Sequence, residues 1–138
     1  MKISTRGRYA LRMMLDIAMN AGEGSLSLKS IAQRQDISVK YLEQIVTPLV
    51  RCGYVRANRG AQGGYQLCKS PEEYTVGMIL RTIEGSLAPV SCVEEGCSRQ
   101  DGCATAELYR RIDEAVDNVV DNITLKDLVR WQTGNTES

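Results

Sequence analysis

The chain has 138 residues but contains no histidine, and its twelve glycines form no nucleotide-binding motif. Histidine is the side chain that most often transfers protons in enzymes near neutral pH, so its absence removes the commonest catalytic base. The stretch GAQGG at residues 60–64 lacks the lysine and the context of a phosphate-binding loop. We therefore expect a protein that is not an enzyme and takes no small-molecule substrate.

Long apolar runs and an apolar leader are also missing. No segment approaches the roughly 18 apolar residues that a membrane-spanning helix needs. The first twenty residues carry Arg8, Arg12 and Asp16 where a signal peptide would be apolar. The five cysteines are odd in number and are not arranged as a small secreted disulfide scaffold. We expect a cytoplasmic protein that does not associate with a membrane and whose cysteines ligate a metal or sense redox state.

Charges of opposite sign are separated along the chain although the formal net charge is zero. Residues 1–70 hold 11 Lys and Arg against 4 Asp and Glu, whereas residues 71–138 hold 6 against 13. A basic half beside an acidic half is typical of a polyanion-binding module joined to a regulatory or assembly segment. The alternative is that the charges are unevenly distributed by chance. The positions of the basic residues distinguish a polyanion-binding module from a chance distribution better than their number does.

Apolar periodicity predicts a mainly helical fold with one small β-hairpin. Helices are predicted at about 5–20, at 28–35 and 39–51 with Ser27 and Ser38 as N-caps, and at about 75–84. Pro48 should bend the third helix or reduce its stability. YVRA and YQLC indicate two short strands around an RGAQGG turn. Two short helices followed by a basic hairpin predict a winged helix-turn-helix domain over residues 1–86, with the hairpin as the wing.

A long one-sided helix is predicted in a C-terminal unit of residues 104–138. Its charged residues occupy the faces opposite one apolar stripe. The stripe consists of Leu108, Ile112, Ala115 or Val116, Val119 and Ile123. Because such a helix has little core of its own chain to cover, we interpret it as a dimerisation helix, with packing against its own domain as the alternative. A short final helix follows, with Thr124 as its N-cap.

The basic half contains the residues that a helix-turn-helix protein would use to bind DNA. The second helix of the pair carries its N-terminal residues closest to the base edges. Gln44 can pair with adenine, Glu43 can accept from cytosine, and Lys40 can reach guanine or phosphate. An arginine at a narrow hairpin tip suits the minor groove, and residues at the start of the first helix can hold phosphates. The full candidate set is Lys2, Ser4, Thr5, Arg6, Arg8, Ser38, Lys40, Tyr41, Glu43, Gln44, Arg56 and Arg59.

Three of the cysteines lie in CVEEGCSRQDGC, within a predicted loop of residues 87–103. Cys92, Cys97 and Cys103 on a glycine-containing loop suit a [2Fe–2S] cluster, which needs two protein ligands per iron. Structural zinc usually has paired C-x2–4-C knuckles and four ligands, so it fits less well. Reduced thiols without metal are the alternative. Cys52 and Cys68 are expected to be small buried apolar residues.

The segments KISTRGRYALRMMLDIA and LKSIAQRQDISVKYLEQIVTPLVRCGYVRANRGAQGGYQL, with the three-cysteine loop, resemble the IscR-type (Rrf-type) bacterial transcription regulators. The similarity extends to about Trp131 and is greatest to the regulators of iron–sulfur cluster assembly genes. It implies a homodimer of winged-helix domains, joined by the long helix, that binds an imperfect palindrome in double-stranded DNA. It also implies a [2Fe–2S] cluster on Cys92, Cys97 and Cys103 that tunes DNA binding.

The fourth ligand departs from the pattern of this family. Its iron–sulfur members place a histidine three residues after the last cysteine, where this chain has Ala106, followed by Glu107. Nitric-oxide sensors of the family use an acidic residue near position 8, which is Arg8 here. Glu107, another carboxylate or solvent are candidates for the fourth bond, and a histidine-to-alanine substitution or a cluster-deficient form are further hypotheses. A metal-free repressor controlled by thiol oxidation or a partner, and an iron–sulfur carrier, are the alternative functions.

Overall fold

Helices dominate the structure, and one β-hairpin separates the first three helices from the last three. In the computed structural model, residues 2–22, 24–61, 63–89 and 104–134 are described. The elements in these residues are α1 (Thr5–Asn20), α2 (Leu28–Gln35), α3 (Val39–Arg51), β1 (Val55–Asn58), β2 (Gly64–Leu67), a 3₁₀ turn (Pro71–Glu73), α4 (Val76–Glu84), α5 (Ala104–Val120) and α6 (Leu125–Thr133). None of these helices is long and apolar enough to cross a lipid bilayer.

Hydroxyl side chains set the starts of five helices. In each case the N-cap oxygen accepts a hydrogen bond from the backbone N–H three residues later, which satisfies one of the donors left open at a helix start. The caps are Ser4, Ser27, Ser38, Thr75 and Thr124. The bounds predicted for α2 and α3 are thereby confirmed. α3 continues past Pro48, whose carbonyl accepts the Cys52 N–H at 3.1 Å.

The wing hairpin is an antiparallel pair in which Val55 lies opposite Leu67 and Asn58 opposite Gly64. Its strands start and end one residue away from the predicted positions. The reason is that the Tyr54 N–H donates to the Leu49 carbonyl at 3.0 Å and so completes the end of α3 instead of starting β1. Leu26 pairs with Tyr65 along the other edge of β2. Gly64 has φ 151°, and a side chain there would overlap the Leu26 carbonyl.

One apolar core joins the helix-turn-helix to the end of the chain. Its buried residues come from α1, α2, α3, β1, the 3₁₀ turn's end, α4 and α6, and include Met13, Leu42, Tyr74 and Leu125. Thr75 pairs with Thr124, and the Leu125 N–H donates to the Tyr74 carbonyl at 2.9 Å. The final helix, predicted within a unit of residues 104–138, therefore packs on the DNA-binding part of the chain.

The C-terminal end of the long helix α5 packs against α4 and the segment that follows it. Val120 packs with Leu80 and Leu87 in a second apolar cluster, and Arg81 of α4 forms ion pairs with Asp117 at 2.7 Å and Asp121 at 2.6 Å. The helix ends at Val120, so Ile123 of the predicted stripe lies beyond it. Leu108 and Val119 are 52% and 56% exposed. Much of the apolar stripe is thus uncovered in the isolated chain.

Candidate nucleic-acid interface

The exposed face of α3 carries the side chains predicted to contact bases. Leu42, Ile45, Val46 and Leu49 are buried in the core, which turns the opposite face of the helix to solvent. Four exposed residues at positions i, i+3, i+4 and i+7 form this recognition face. They are Lys40, Glu43, Gln44 and Thr47. Sequence reasoning missed Thr47, although the same helical spacing that groups the other three also includes it.

Ser38 and Tyr41 have structural contacts besides any role in DNA binding. The Ser38 hydroxyl accepts the Tyr41 N–H at 3.1 Å and caps α3. The half-buried Tyr41 ring packs edge-on against Tyr9 of α1, with ring centroids 5.4 Å apart. The Arg12 guanidinium lies 5.3 Å from the centre of the Tyr9 ring. Because Tyr9 is in the second turn of α1 and Tyr41 in the first turn of α3, the N-terminal ends of these helices lie beside each other.

A buried ion pair fixes α2 against α1. The Asp16 side chain is 1% exposed, and its carboxylate accepts from Arg34 Nη2 at 2.7 Å and Nε at 3.0 Å. Gln35 Nε2 donates to the same carboxylate at 2.9 Å. The hydrogen bond to Asp16 raises the pKa of Arg34 above its usual value. The sequence analysis overlooked this pair, whose signal was an acidic residue on the apolar side of the first helix.

At the start of α1 the predicted phosphate contacts divide into two kinds. The side chains of Lys2, Arg6 and Arg8 are exposed, and Arg8 Nη2 donates to Thr5 Oγ1 at 3.3 Å. Ser4 is more engaged, since its hydroxyl accepts the Gly7 N–H at 3.0 Å and donates to a carboxylate oxygen of Glu84. The Ser4 N–H also donates to Glu84 Oε2 at 3.3 Å. The start of α1 is therefore attached to the end of α4.

The wing carries two arginines beside a turn that requires glycine. Arg56 on β1 and Arg59 at the turn are both exposed. Gly60 has φ 104°, a conformation that side chains disfavour, and a side chain at Gly63 would overlap the Asn58 carbonyl. Arg59 is thus placed next to a narrow hairpin tip, as the sequence predicted.

The predicted cluster ligands Cys92, Cys97 and Cys103 lie outside the described residues. Within residues 2–22, 24–61, 63–89 and 104–134, no group of three His, Cys, Asp or Glu side chains is placed to hold a metal. Nearby, in the first turn of α5, Ala106 is only 5% exposed. Glu107 forms ion pairs with Arg110 and with Arg111, the latter at 3.3 Å, and these partners lower the pKa of its carboxyl.

The two other cysteines contradict the expectation of burial. Cys52 and Cys68 are both exposed. Cys52 follows α3 at the C-cap, where its sulfur lies 3.4 Å from the Leu49 carbonyl oxygen, and Cys68 follows β2. Both positions lie where the chain leaves a regular element at the surface. The apolar character of cysteine was therefore a poor guide to their burial.

Comparisons with known proteins agree with this architecture. A family model described as Rrf2, iron-dependent transcriptional regulator, matches residues 3–131. The HTH-type transcriptional regulator CymR of Bacillus subtilis (strain 168) is 46% identical over 100% of this chain and 96% of its own length. The solved structure of B. subtilis CymR, described as the global cysteine regulator, has a TM-score of 0.83 and covers 95% of this chain and 98% of that chain.

IscR proteins are also similar. The HTH-type transcriptional regulator IscR of Pectobacterium carotovorum subsp. carotovorum (strain PC1) is 40% identical over 94% of this chain and 79% of its own length. The structure of T. potens IscR has a TM-score of 0.82 at 38% identity, covering 100% of this chain and 93% of that chain. These matches confirm a mainly helical winged-helix fold, a regulator of transcription that binds DNA, and a chain that is not an enzyme. The chain belongs to the Rrf2 family of transcriptional regulators.

Proposed function

We propose that the protein is a cytoplasmic homodimer that binds an imperfect palindromic operator in double-stranded DNA and controls iron–sulfur cluster assembly genes. In this proposal a [2Fe–2S] cluster on the loop of residues 87–103 tunes the binding. The observation that most directly supports the DNA-binding part of this proposal is the recognition face of α3. Its four polar side chains stand on a helix that the core and Tyr9 hold in place.

On DNA, the recognition face lies in the major groove and the wing reaches the adjacent minor groove. Gln44 donates to and accepts from adenine, Glu43 accepts from cytosine, and Lys40 donates to guanine or a phosphate. Arg59 enters the minor groove, where the negative potential is strongest when the groove is narrow. Basic and hydroxyl side chains at the start of α1 and on the wing contact phosphates and fix the register of the protein on the duplex. These phosphate contacts are assigned to Lys2, Thr5, Arg6, Arg8 and Arg56.

The second copy of the chain covers the apolar side of α5. A cavity of about 670 Å³ lies between α4 and α5, and its lining includes Ile3, Leu80, Leu87 and Ile112. Val119 lines the same cavity and is more than half exposed. Exposed apolar side chains such as Ile3 and Val119 around an apolar cavity are typical of an interface between copies. Two recognition helices related by a two-fold axis then match two half-sites about one helical turn, roughly 34 Å, apart.

A charge placed in this surface tests the dimer. We expect Val119→Glu to shift the protein to monomers in size-exclusion chromatography with light scattering, because a carboxylate would be buried in an apolar interface. Asn118→Glu adds the same charge at the neighbouring exposed position and is the matched control, which should remain dimeric. A dimeric Val119→Glu variant would contradict this interface.

The donor set around the loop fits a [2Fe–2S] cluster at three of its four protein bonds. Cys92, Cys97 and Cys103 would supply the thiolates, and the cluster supplies a redox-active and oxidant-sensitive centre when bound. Glu107 is the candidate for the fourth bond because its carboxylate lies one turn into α5, next to Ala106. It would have to exchange its ion pairs with Arg110 and Arg111 for the iron. We therefore expect a labile cluster.

An iron and sulfide count, with electron paramagnetic resonance of the reduced, anaerobically purified protein, tests the cofactor. We expect two irons per chain and loss of the signal in each of the variants Cys92→Ala, Cys97→Ala and Cys103→Ala. Cys52→Ala and Cys68→Ala are the matched controls, since they remove exposed thiols outside the loop. Iron retained in all three loop variants would contradict the ligand assignment.

A metal-free thiol regulator of the same fold is the second candidate. It is favoured by the similarity to CymR, described as a cysteine regulator, and by the lack of a nitrogen ligand at Ala106. The absorption spectrum of the anaerobically purified protein, together with gel-shift measurements of operator binding by reduced and oxidised protein, separates the two functions. Iron-free protein whose operator affinity follows thiol oxidation would replace the cluster proposal.

The cluster state is expected to change which operators are bound, and we expect Glu43 to contribute to this change in operator preference. A carboxylate favours cytosine and repels other base edges and phosphates. Cluster-bound and cluster-free protein should therefore rank a panel of operators differently, and Glu43→Ala should reduce that difference. Identical rankings in all four combinations would exclude this role of Glu43.

A further inference from the structure

Tyr74 has a fully buried side chain whose hydroxyl holds the open end of the wing hairpin. The hydroxyl accepts the backbone N–H groups of Cys68 at 3.1 Å and Lys69 at 3.0 Å, which follow β2. It donates to the carbonyl of Tyr54, just before β1, at 2.7 Å. Burial raises the pKa of Tyr74, so the hydroxyl keeps the proton that it donates. One side chain thus joins both ends of the hairpin.

The hairpin has further attachments to the core among the described residues. Leu26 pairs with Tyr65 along β2, Val55 is buried in the core, and Tyr65 and Leu67 pack against it. The ring of Tyr54 packs edge-on against the ring of Tyr74, with centroids 5.7 Å apart. A tilt of the wing about the Leu26 pairing would therefore have to break the bonds of the Tyr74 hydroxyl.

The main chain at Tyr74 connects this anchor to the segment between α5 and α6. The Tyr74 carbonyl accepts the Leu125 N–H at 2.9 Å, and the Val76 N–H donates to the Ile123 carbonyl at 2.8 Å. Thr75 and Thr124 form the bridge between these bonds. The base of the wing and the segment after the long helix are thus attached to the same three residues, 74–76, and Val76 also packs with Val120 at the end of α5.

We propose that Tyr74 is a positioning residue for DNA binding. It sets the angle of the wing relative to α3, and it couples that angle to the position of the end of α5. Tyr74 itself is buried and does not touch DNA. Its effect reaches the operator through Arg59 at the wing tip, so this inference rests on the proposed minor-groove contact of Arg59. In a dimer, the attachment to α5 makes the wing angle follow the arrangement of the two subunits.

Hydrogen exchange tests the positioning without DNA. Tyr74→Phe keeps the ring and removes the hydroxyl, and we expect faster exchange of the amides in residues 55–69 with unchanged exchange in residues 39–51. Tyr54→Phe is the matched control because it removes a hydroxyl from the neighbouring ring but keeps the carbonyl that Tyr74 binds. Wing amides that exchange as slowly in Tyr74→Phe as in the parent protein would overturn the proposal.

A double-mutant cycle tests the route to the operator. We expect Tyr74→Phe to weaken specific binding on the order of tenfold in the parent and in a Gln44→Ala background, but less than about twofold in an Arg59→Ala background. Equal losses in both backgrounds would mean that Tyr74 does not act through the wing. If the proposed minor-groove contact of Arg59 is wrong, Arg59→Ala alone will leave the operator affinity unchanged. In that case the hydrogen-exchange measurement still decides whether Tyr74 positions the wing.

Discussion

The ion pair between α1 and α2 should respond unequally to loss of its two partners. The Asp16 side chain is 1% exposed, whereas that of Arg34 is 37% exposed. If Arg34 is removed, the Asp16 carboxylate stays buried, and among the described residues Gln35 Nε2 remains as a side-chain donor to it at 2.9 Å. If Asp16 is changed, the Arg34 guanidinium can turn toward water. The stability cost should therefore depend on which residue is replaced.

Removal of one partner of a buried pair costs roughly 3–5 kcal/mol when it leaves an uncompensated charge. We expect Arg34→Met to reduce the free energy of unfolding by an amount near this range. Asp16→Asn keeps the shape but replaces one accepting oxygen with an NH₂ donor that faces Arg34 or Gln35, and the Arg34 charge that it leaves is over a third exposed. We therefore expect a cost of about 1–3 kcal/mol, the size of leaving a buried polar group unpaired. Against a total stability of about 5–15 kcal/mol, both effects are measurable.

The double variant gives the sharper test because its sign is predicted. Adding Asp16→Asn to Arg34→Met removes the stranded carboxylate charge, so the double variant should be more stable than Arg34→Met by about 1–3 kcal/mol. Urea unfolding followed by circular dichroism measures all three variants, at one fixed protein concentration because the proposed dimerisation would add stability. If Asp16→Asn costs more than Arg34→Met, or the double variant is no more stable than Arg34→Met, the argument from burial is refuted.

Three further predictions concern the wing, the cluster and the last helix. Arg59→Ala should weaken specific operator binding by about 1–3 kcal/mol in a gel-shift titration, and an unchanged affinity would argue against a minor-groove arginine. Ala106→His should raise the iron content after anaerobic reconstitution and slow its loss in air, and unchanged content and lability would contradict a missing fourth ligand. The pKa of Asp127 is lowered by the Thr124 N–H and hydroxyl and by Arg130. The ionised Asp127 carboxylate therefore stabilises the fold above its unfolded pKa of about 3.9, and this contribution is lost as the pH falls through the lower folded pKa. Asp127→Asn should therefore reduce the acid dependence of the melting temperature, and an unchanged acid dependence would assign it to other carboxyl groups.

Local chemistry explains why most helix bounds could be predicted. A serine or threonine hydroxyl three residues before an N–H that it can accept is a signal contained within four residues, as at Ser27, Ser38 and Thr124. Helical spacing likewise sorted α3 into a buried face and a recognition face without knowledge of the partner elements. The hairpin was found for the same reason, and its one-residue offset arose because Tyr54 bonds back to α3.

The missed contacts all join positions far apart in sequence. Asp16 is buried with a residue 18 positions away, and the Tyr74 hydroxyl bonds a carbonyl 20 positions away. No periodicity within one element reveals such a partner, because the pairing follows from how α1, α2 and the hairpin pack together. The prediction for Cys52 and Cys68 was wrong for a different reason. Their residue type suggested burial, but both lie at the ends of regular elements, where they are exposed.

The position of α4 explains how a signal in the loop of residues 87–103 can bear on DNA binding. α4 leads into that loop and α5 follows it, and Arg81 joins the two helices through Asp117 and Asp121. The same α4 ends at Glu84, which holds Ser4 at the start of α1 beside the proposed phosphate contacts. In the proposed function, a signal received in the segment of residues 87–103 would act on both of its flanking helices, and these are attached to the proposed phosphate-binding end of α1 and to the proposed dimer interface. Coupling between the loop and the operator therefore needs no direct contact between cysteines and DNA, and it should weaken when Arg81 is replaced even if the cluster still binds.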